Sequence, residues 1–141
     1  MSNFEFNSLD TDFRLKDKKR LQLWLERVIL SHHKFPSAVQ YIFCSDTYLA
    51  DLNRQYLQHN TYTDIITFNY NSGYHISGDI FISVDRVAEN AVTYKTTFED
   101  ELHRVMVHGV LHLLGFNDKK TTEARSMRKL ENDALEILKS L

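Results

Sequence analysis

One cysteine, one proline and four glycines among 141 residues leave this chain poor in the residues that staple, break or loosen a fold. A lone thiol, Cys44, cannot close an internal disulfide, so nothing in the sequence asks for an oxidising compartment. It sits in the apolar run Val39–Cys44 and reads as a small core residue rather than a nucleophile. With so little glycine and proline there is no linker material, and neither a repeat nor a composition break divides the chain, so a single domain over 1–141 is expected. No apolar run approaches the roughly 20 residues needed to span a bilayer. The start, Met1-Ser2-Asn3-Phe4-Glu5, lacks the basic and apolar stretches of a secretory signal. A cytoplasmic location without a membrane partner is the expectation. Net positive charge is missing too: 17 basic against 19 acidic residues give −2. Contact with nucleic acid must then rest on a local basic surface, a shaped partner or a metal.

What is present suits an ordinary globular domain: 43% hydrophobic and 26% charged residues can build one core at this length. Phe4 and Phe6 alternate with polar residues as in a short strand. Leu15 to Ile29 carries the spacing of an amphipathic helix, closed by His32, His33 and Pro36. Ala38–Cys44 is strand-like, and Ser45 or Asp46 can cap a helix running to about Leu57. Thr63–Tyr70 and Gly78–Val84 are β-rich runs joined by the turn Asn71-Ser72-Gly73, predicting a hairpin. Helices follow from Asp85 to about Tyr94, from Thr97 to about Leu114, and from Thr121 to Leu138. The order β-α-β-α-β-β-α-α-α predicts an α+β fold, with a small mixed sheet of about four strands covered by about five helices.

The helix from Leu102 to Leu114 is apolar on almost every side, the mark of a buried helix. Two polar imidazoles interrupt it. His108 and His112 are four residues apart, on one face and one turn from each other, a spacing at which both can bind one metal ion. Between them Gly109 costs about 1 kcal/mol in a helix interior, which implies a close approach there. Gly115 stops the helix, and Asp118, six residues past His112, can bring a carboxylate back to the same face. Asn117 competes for that place as a weaker neutral donor. His103 lies about 140° round the helix from His108 and is not expected to join them. Two His and one Asp would leave a tetrahedral ion one open corner, as catalytic zinc requires. A satisfied core histidine pair is the alternative. A zinc protease of the His-Glu-x-x-His type needs its general base where this chain has Gly109, which excludes that class.

The run His108-Gly109-Val110-Leu111-His112-Leu113-Leu114-Gly115-Phe116-Asn117-Asp118 resembles the motif His-Gly-x-Leu-His-Leu-x-Gly-Tyr-Asp-His of the YbeY family, zinc-dependent rRNA maturation endoribonucleases. Leu52-Asn53, Tyr56-Leu57 and Thr63-Asp64-Ile65-Ile66-Thr67-Phe68 match a second family block, and Gly78-Asp79-Ile80 a third. Two positions depart from the pattern. Asp118 stands where the family has its third zinc-binding His, and Leu57 stands where it has an Arg tied to RNA phosphate or cleavage.

The resemblance implies one zinc ion per chain on His108, His112 and Asp118, and cleavage of single-stranded rRNA. It places that activity in 16S rRNA 3′-end maturation and ribosome quality control. A small-subunit ribosomal protein and an assembly GTPase are the protein partners it implies. Arg54 or His59 is the expected substitute for the missing Arg. Thr63, Asp64 and Thr67 would shape the cleft, with Asp79 orienting a ligand or ending a strand turn. Lys119 and Lys120, and less so Lys16, Lys18, Lys19 and Arg20, are candidate phosphate contacts. Tyr62 or Tyr70 could stack on bases. An RNA-binding assembly factor with a structural zinc is the rival reading, favoured by Leu57. A zinc hydrolase of small molecules or peptides comes third.

Overall fold

The computed structural model describes residues 2–57 and 63–141, with the backbone alone at 57. Strand β1 (Asn3–Ser8) pairs in parallel with β2 (Phe35–Cys44), and β2 pairs in parallel with β4 (His75–Ser83). The hairpin expected from the Asn71-Ser72-Gly73 turn is present: β3 (Ile65–Asn69) runs antiparallel to β4. The mixed four-stranded sheet has the order β1-β2-β4-β3. Five α-helices complete the α+β domain: α1 (Lys18–Ser31), α2 (Asp46–Leu52), α3 (Val84–Thr93), α4 (Phe98–Leu113) and α5 (Thr121–Lys139).

Period-two alternation of the strands divides the apolar residues between two faces. Val39, Tyr41, Phe43, Ile76, Ile80 and Ile82 join the main core with residues of α1, α3, α4 and α5. On the opposite face Leu49 and Leu52 of α2 pack with Cys44 and Ile66. The polar tips inside the main core are satisfied: Trp24 Nε1 donates to the Ala134 carbonyl at 2.7 Å, and the Tyr41 hydroxyl to the Met106 carbonyl at 2.7 Å. The Ser45, Ser83 and Thr97 side chains cap α2, α3 and α4 by accepting backbone N–H groups three residues on.

Three boundaries differ from the sequence expectation, each for a local reason. Helix α1 begins at Lys18 rather than near Leu15, because Asp17 takes a left-handed conformation (φ 59°) that breaks the helix, while Leu15 is buried ahead of it. Pro36 lies inside β2 instead of ending the preceding segment. Pairing with β1 begins only at Ala38, so the missing N–H is not demanded on that side, and the register with β4 shifts between Pro36 and Val39. Helix α2 stops at Leu52 and continues as a π-helical turn, Asn53–Leu57.

Helix α4 is buried along most of its length, as its composition requires. A Cβ added at Gly109 would meet Ile80 Cγ2 at 2.8 Å and Ile65 Cδ1 at 3.0 Å, so glycine is what lets α4 lie this close to β3 and β4. Gly109→Ala should cost about 1–3 kcal/mol in overpacking and regain about 1 kcal/mol of helix propensity. The expected net result is a melting temperature lower by about 3 °C or more, read by thermal unfolding. An unchanged melting point would mean that the sheet yields at no cost. A second prediction concerns Cys44. Burial, with the nearby Asp10, Asp85 and Asp46 charges, pushes its thiol up to about 12. The native protein should therefore resist a thiol reagent at pH 8 that labels the unfolded chain stoichiometrically.

Candidate metal centre

The imidazoles of His108 and His112 face each other across one turn of α4, with ring centroids 4.7 Å apart. The helix then ends in a tight reversal. Gly115, at φ 103°, donates its N–H to the His112 carbonyl at 2.9 Å, and Phe116 donates to Leu111 at 3.1 Å. These two bonds form a Schellman motif, for which glycine is the favoured residue at the left-handed position. Glu123 then accepts the Lys120 N–H at 3.1 Å and fixes the start of α5. The short loop between these two anchors carries Asp118 back over α4.

Asp118 reaches both imidazoles. Its Oδ2 lies 3.3 Å from His108 Nε2, and its Oδ1 lies 3.4 Å from His112 Nε2. One ligand atom from each of the three residues falls within 4.8 Å of the others, the sole such group of metal-ligating side chains among the described residues. Donors about 2.0–2.1 Å from a tetrahedral ion are separated by about 3.3 Å, and each imidazole Nε2 keeps about that distance from one oxygen of the carboxylate, His108 from Oδ2 and His112 from Oδ1. All three side chains are part-buried, which leaves the group open on one side.

The hydrogen bonding behind His108 also fits a metal. His108 Nδ1 lies 2.7 Å from Glu131 Oε2, and Glu131 is only 6% exposed. Arg104 donates to the other oxygen of Glu131 at 2.9 Å and to Asn132 at 2.8 Å. Burial alone would raise Glu131, but its bonds with His108 and Arg104 outweigh that and hold its pKa below the ordinary value. The ionised carboxylate keeps the proton of His108 on Nδ1, so the lone pair of Nε2 points at the site. Burial likewise pulls His108 down, yet the Glu131 bond, with the charges of Glu131, Asp118 and Asp64, raises it. His112 is lowered, by burial first and by His108 second.

The other residues singled out in the sequence divide clearly. Asp64 borders the cleft of about 260 Å³ at His108 and Asp118, and accepts a hydrogen bond from Asn90 at 3.3 Å. Burial raises its pKa. Arg54 pairs with Asp51 on the exposed side of the π-helical turn and does not line that cleft. His59 and Tyr62 lie outside the described residues. Asp79 sits within β4, not at a turn, and its charge adds to burial in raising the pKa of Tyr70. His103 packs edge-on to Trp24, away from the metal group as its angle on the helix predicts. Lys119 and Lys120 are exposed beside Asp118. Sequence reasoning missed Glu131 and Arg104. The available signal was a carboxylate in the apolar stripe of α5, where Glu131 shares the buried face with Met127, Ala134 and Leu138.

Fold and donor set together define a class: a small α+β domain with a three-donor metal site on a buried helix. The comparisons make it specific. The profile of the Endoribonuclease YbeY family matches residues 5–139, and the chain belongs to that family. It is 45% identical over 128 residues to the Endoribonuclease YbeY of Flavobacterium psychrophilum, covering 91% of each chain. With that of Parabacteroides distasonis it shares 50% over 121 residues, 86% of this chain and 85% of the other. Its fold is similar to the solution structure of TM1509 from Thermotoga maritima, with TM-score 0.64 and 25% identity, over 96% of this chain and 89% of that one.

Metal content tests the site directly. Purified parent protein should carry about one equivalent of zinc, and Asp118→Ala much less; equal zinc in both would remove Asp118 from the ligand set. Glu131→Gln keeps the size of the side chain but cannot hold the Nδ1 proton as an acceptor charge. Zinc affinity, measured by competition with a chelator, should fall about 10–100-fold.

Proposed function

We propose that this protein is a zinc-dependent, single-strand-specific endoribonuclease acting in 16S rRNA 3′-end maturation and ribosome quality control in the cytoplasm. The observation that carries the reading is the convergence of His108 Nε2, His112 Nε2 and Asp118 behind a Glu131-oriented imidazole. Membership of a family whose relatives are named endoribonucleases supplies the reaction class. No helix among the described residues is long and apolar enough to cross a membrane.

Zinc, when bound, supplies Lewis acidity toward a phosphoryl oxygen and lowers the pKa of water. The chain's own residues do the rest. His108, His112 and Asp118 hold the ion, and Glu131 keeps the His108 proton off the nitrogen that must donate. Arg104 in turn holds Glu131 ionised inside the core. Asp118 in place of a third imidazole adds a negative charge at the ion, which makes water there less acidic than three neutral ligands would. Asp64 lines the same cleft as Glu131. His59 remains a candidate phosphate contact, as does Arg54 if the π-helical turn rearranges on RNA. A small-subunit ribosomal protein and an assembly GTPase are the protein partners this reading implies.

Leu57, in place of the family Arg, favours a second reading: an rRNA-binding assembly factor in which zinc is structural. Incubation of single-stranded rRNA fragments with the parent protein and with His112→Ala separates the two. The nuclease reading expects cleavage by the parent and only background from the variant. Binding of the fragments without cleavage by either protein would establish the assembly factor instead.

A further inference from the structure

The cleft at the metal centre does not end there. Tyr94, Glu101, Arg104 and Arg128 line it and also line a neighbouring cavity of about 350 Å³. The two form one groove above α4, between the end of α3 and the exposed side of α5. Going back along α4 from His108, Arg104 is about one turn away and Glu101 about two, or roughly 10 Å. A strand whose scissile phosphate sat at His108 and Asp118 would place its neighbouring nucleotide here.

Two residues in this groove have chemistry that the fold leaves unused. Arg104 is committed to Glu131 and Asn132. Arg128 is exposed and makes no hydrogen bond or ion pair among the described residues; its charge acts on Glu101. Tyr94 is 63% exposed, stacks on no other ring among the described residues, and is held by its backbone N–H to the Asn90 carbonyl at 2.8 Å. An exposed ring and an exposed guanidinium lining the same groove match the two needs of a single-stranded nucleotide: a stacking platform and a phosphate partner. Part of the acidic lining is offset: Glu131 is paired with Arg104, burial opposes ionisation of Glu101, and Glu136 pairs with Lys139, while Asp64, Asp100 and Asp118 remain. Leu57 supplies no cation, so the family's Arg position contributes none here.

We infer that this groove is a nucleotide subsite for the single strand, in which Arg128 pairs with the phosphate next to the scissile one and Tyr94 stacks on its base. The inference rests on the nuclease reading above and gives it a substrate path. It is a single-strand site because the ring needs an unpaired base face.

Binding of a fluorescent single-stranded RNA oligonucleotide, measured by anisotropy over a series of salt concentrations in chelator-treated protein, tests it without competing cleavage. Arg128→Ala should weaken binding and reduce the slope of log affinity against log salt by about 0.7, with Arg128→Lys restoring the slope. Tyr94→Leu should weaken binding about fivefold or more, and that loss should vanish for an oligonucleotide with an abasic residue at the stacked position. Both variants should keep the parent's zinc content and melting temperature, since neither residue touches a ligand. If the parent binds and cleaves RNA while Arg128→Ala and Tyr94→Leu bind with parental affinity and slope, the subsite is refuted and the nuclease reading stands. If the parent neither binds nor cleaves, the nuclease reading fails and the subsite falls with it.

Discussion

The contact between His108 Nδ1 and Glu131 governs the chemistry of this protein. An imidazole has two nitrogens, and only the one without the proton can bind a cation. By accepting at Nδ1 from within the core, Glu131 decides which nitrogen that is and also fixes the plane of the ring. Its own charge would be costly at that depth without Arg104 and His108 on its two oxygens. The metal group is thus the outer end of a polar chain, Asn132–Arg104–Glu131–His108–Asp118, that links α5 to α4 and on to the loop beyond it.

The helix that presents the imidazoles is placed by packing. Gly109 brings α4 against Ile80 and Ile65, and Gly115 turns the chain so that Asp118 can come back. One glycine acts through the absence of a side chain, the other through a left-handed backbone. A β-branched residue would clash with Ile80 at position 109 and strain the left-handed backbone at position 115.

Much of this was readable beforehand, and the reasons are physical. The nine-element order follows from periodicities of two and 3.6, which report burial directly, and the His pair with its glycines lies within eleven consecutive residues. What escaped was either non-local or set by backbone detail. Glu131 meets Arg104 across 27 residues, and no local pattern says that two helices will bring them together. The left-handed Asp17 and the π-helical turn after Leu52 are conformations that residue preferences do not announce. Pro36 suggests the close of the helix before it, yet it lies in β2, where pairing with β1 begins only at Ala38. The expected role of Arg54 met a similar limit, since its partner Asp51 lies on the same exposed turn.

Asp118 brings a carboxylate to the two imidazoles where a third imidazole would be neutral. An ion held by His108, His112 and Asp118 would have the Asp118 carboxylate as a donor and the Glu131 carboxylate behind His108, with Arg104 offsetting the latter.

The residue that orients the first imidazole comes late in the chain. A ribosome that has made both histidines and Asp118 must still add the first half of α5 before Glu131 exists, and that helix must dock before Arg104 can neutralise it. A nascent or prematurely ended polypeptide would carry the donors without the charge that aligns them. Alignment of the His108 imidazole is thereby tied to the synthesis and docking of α5.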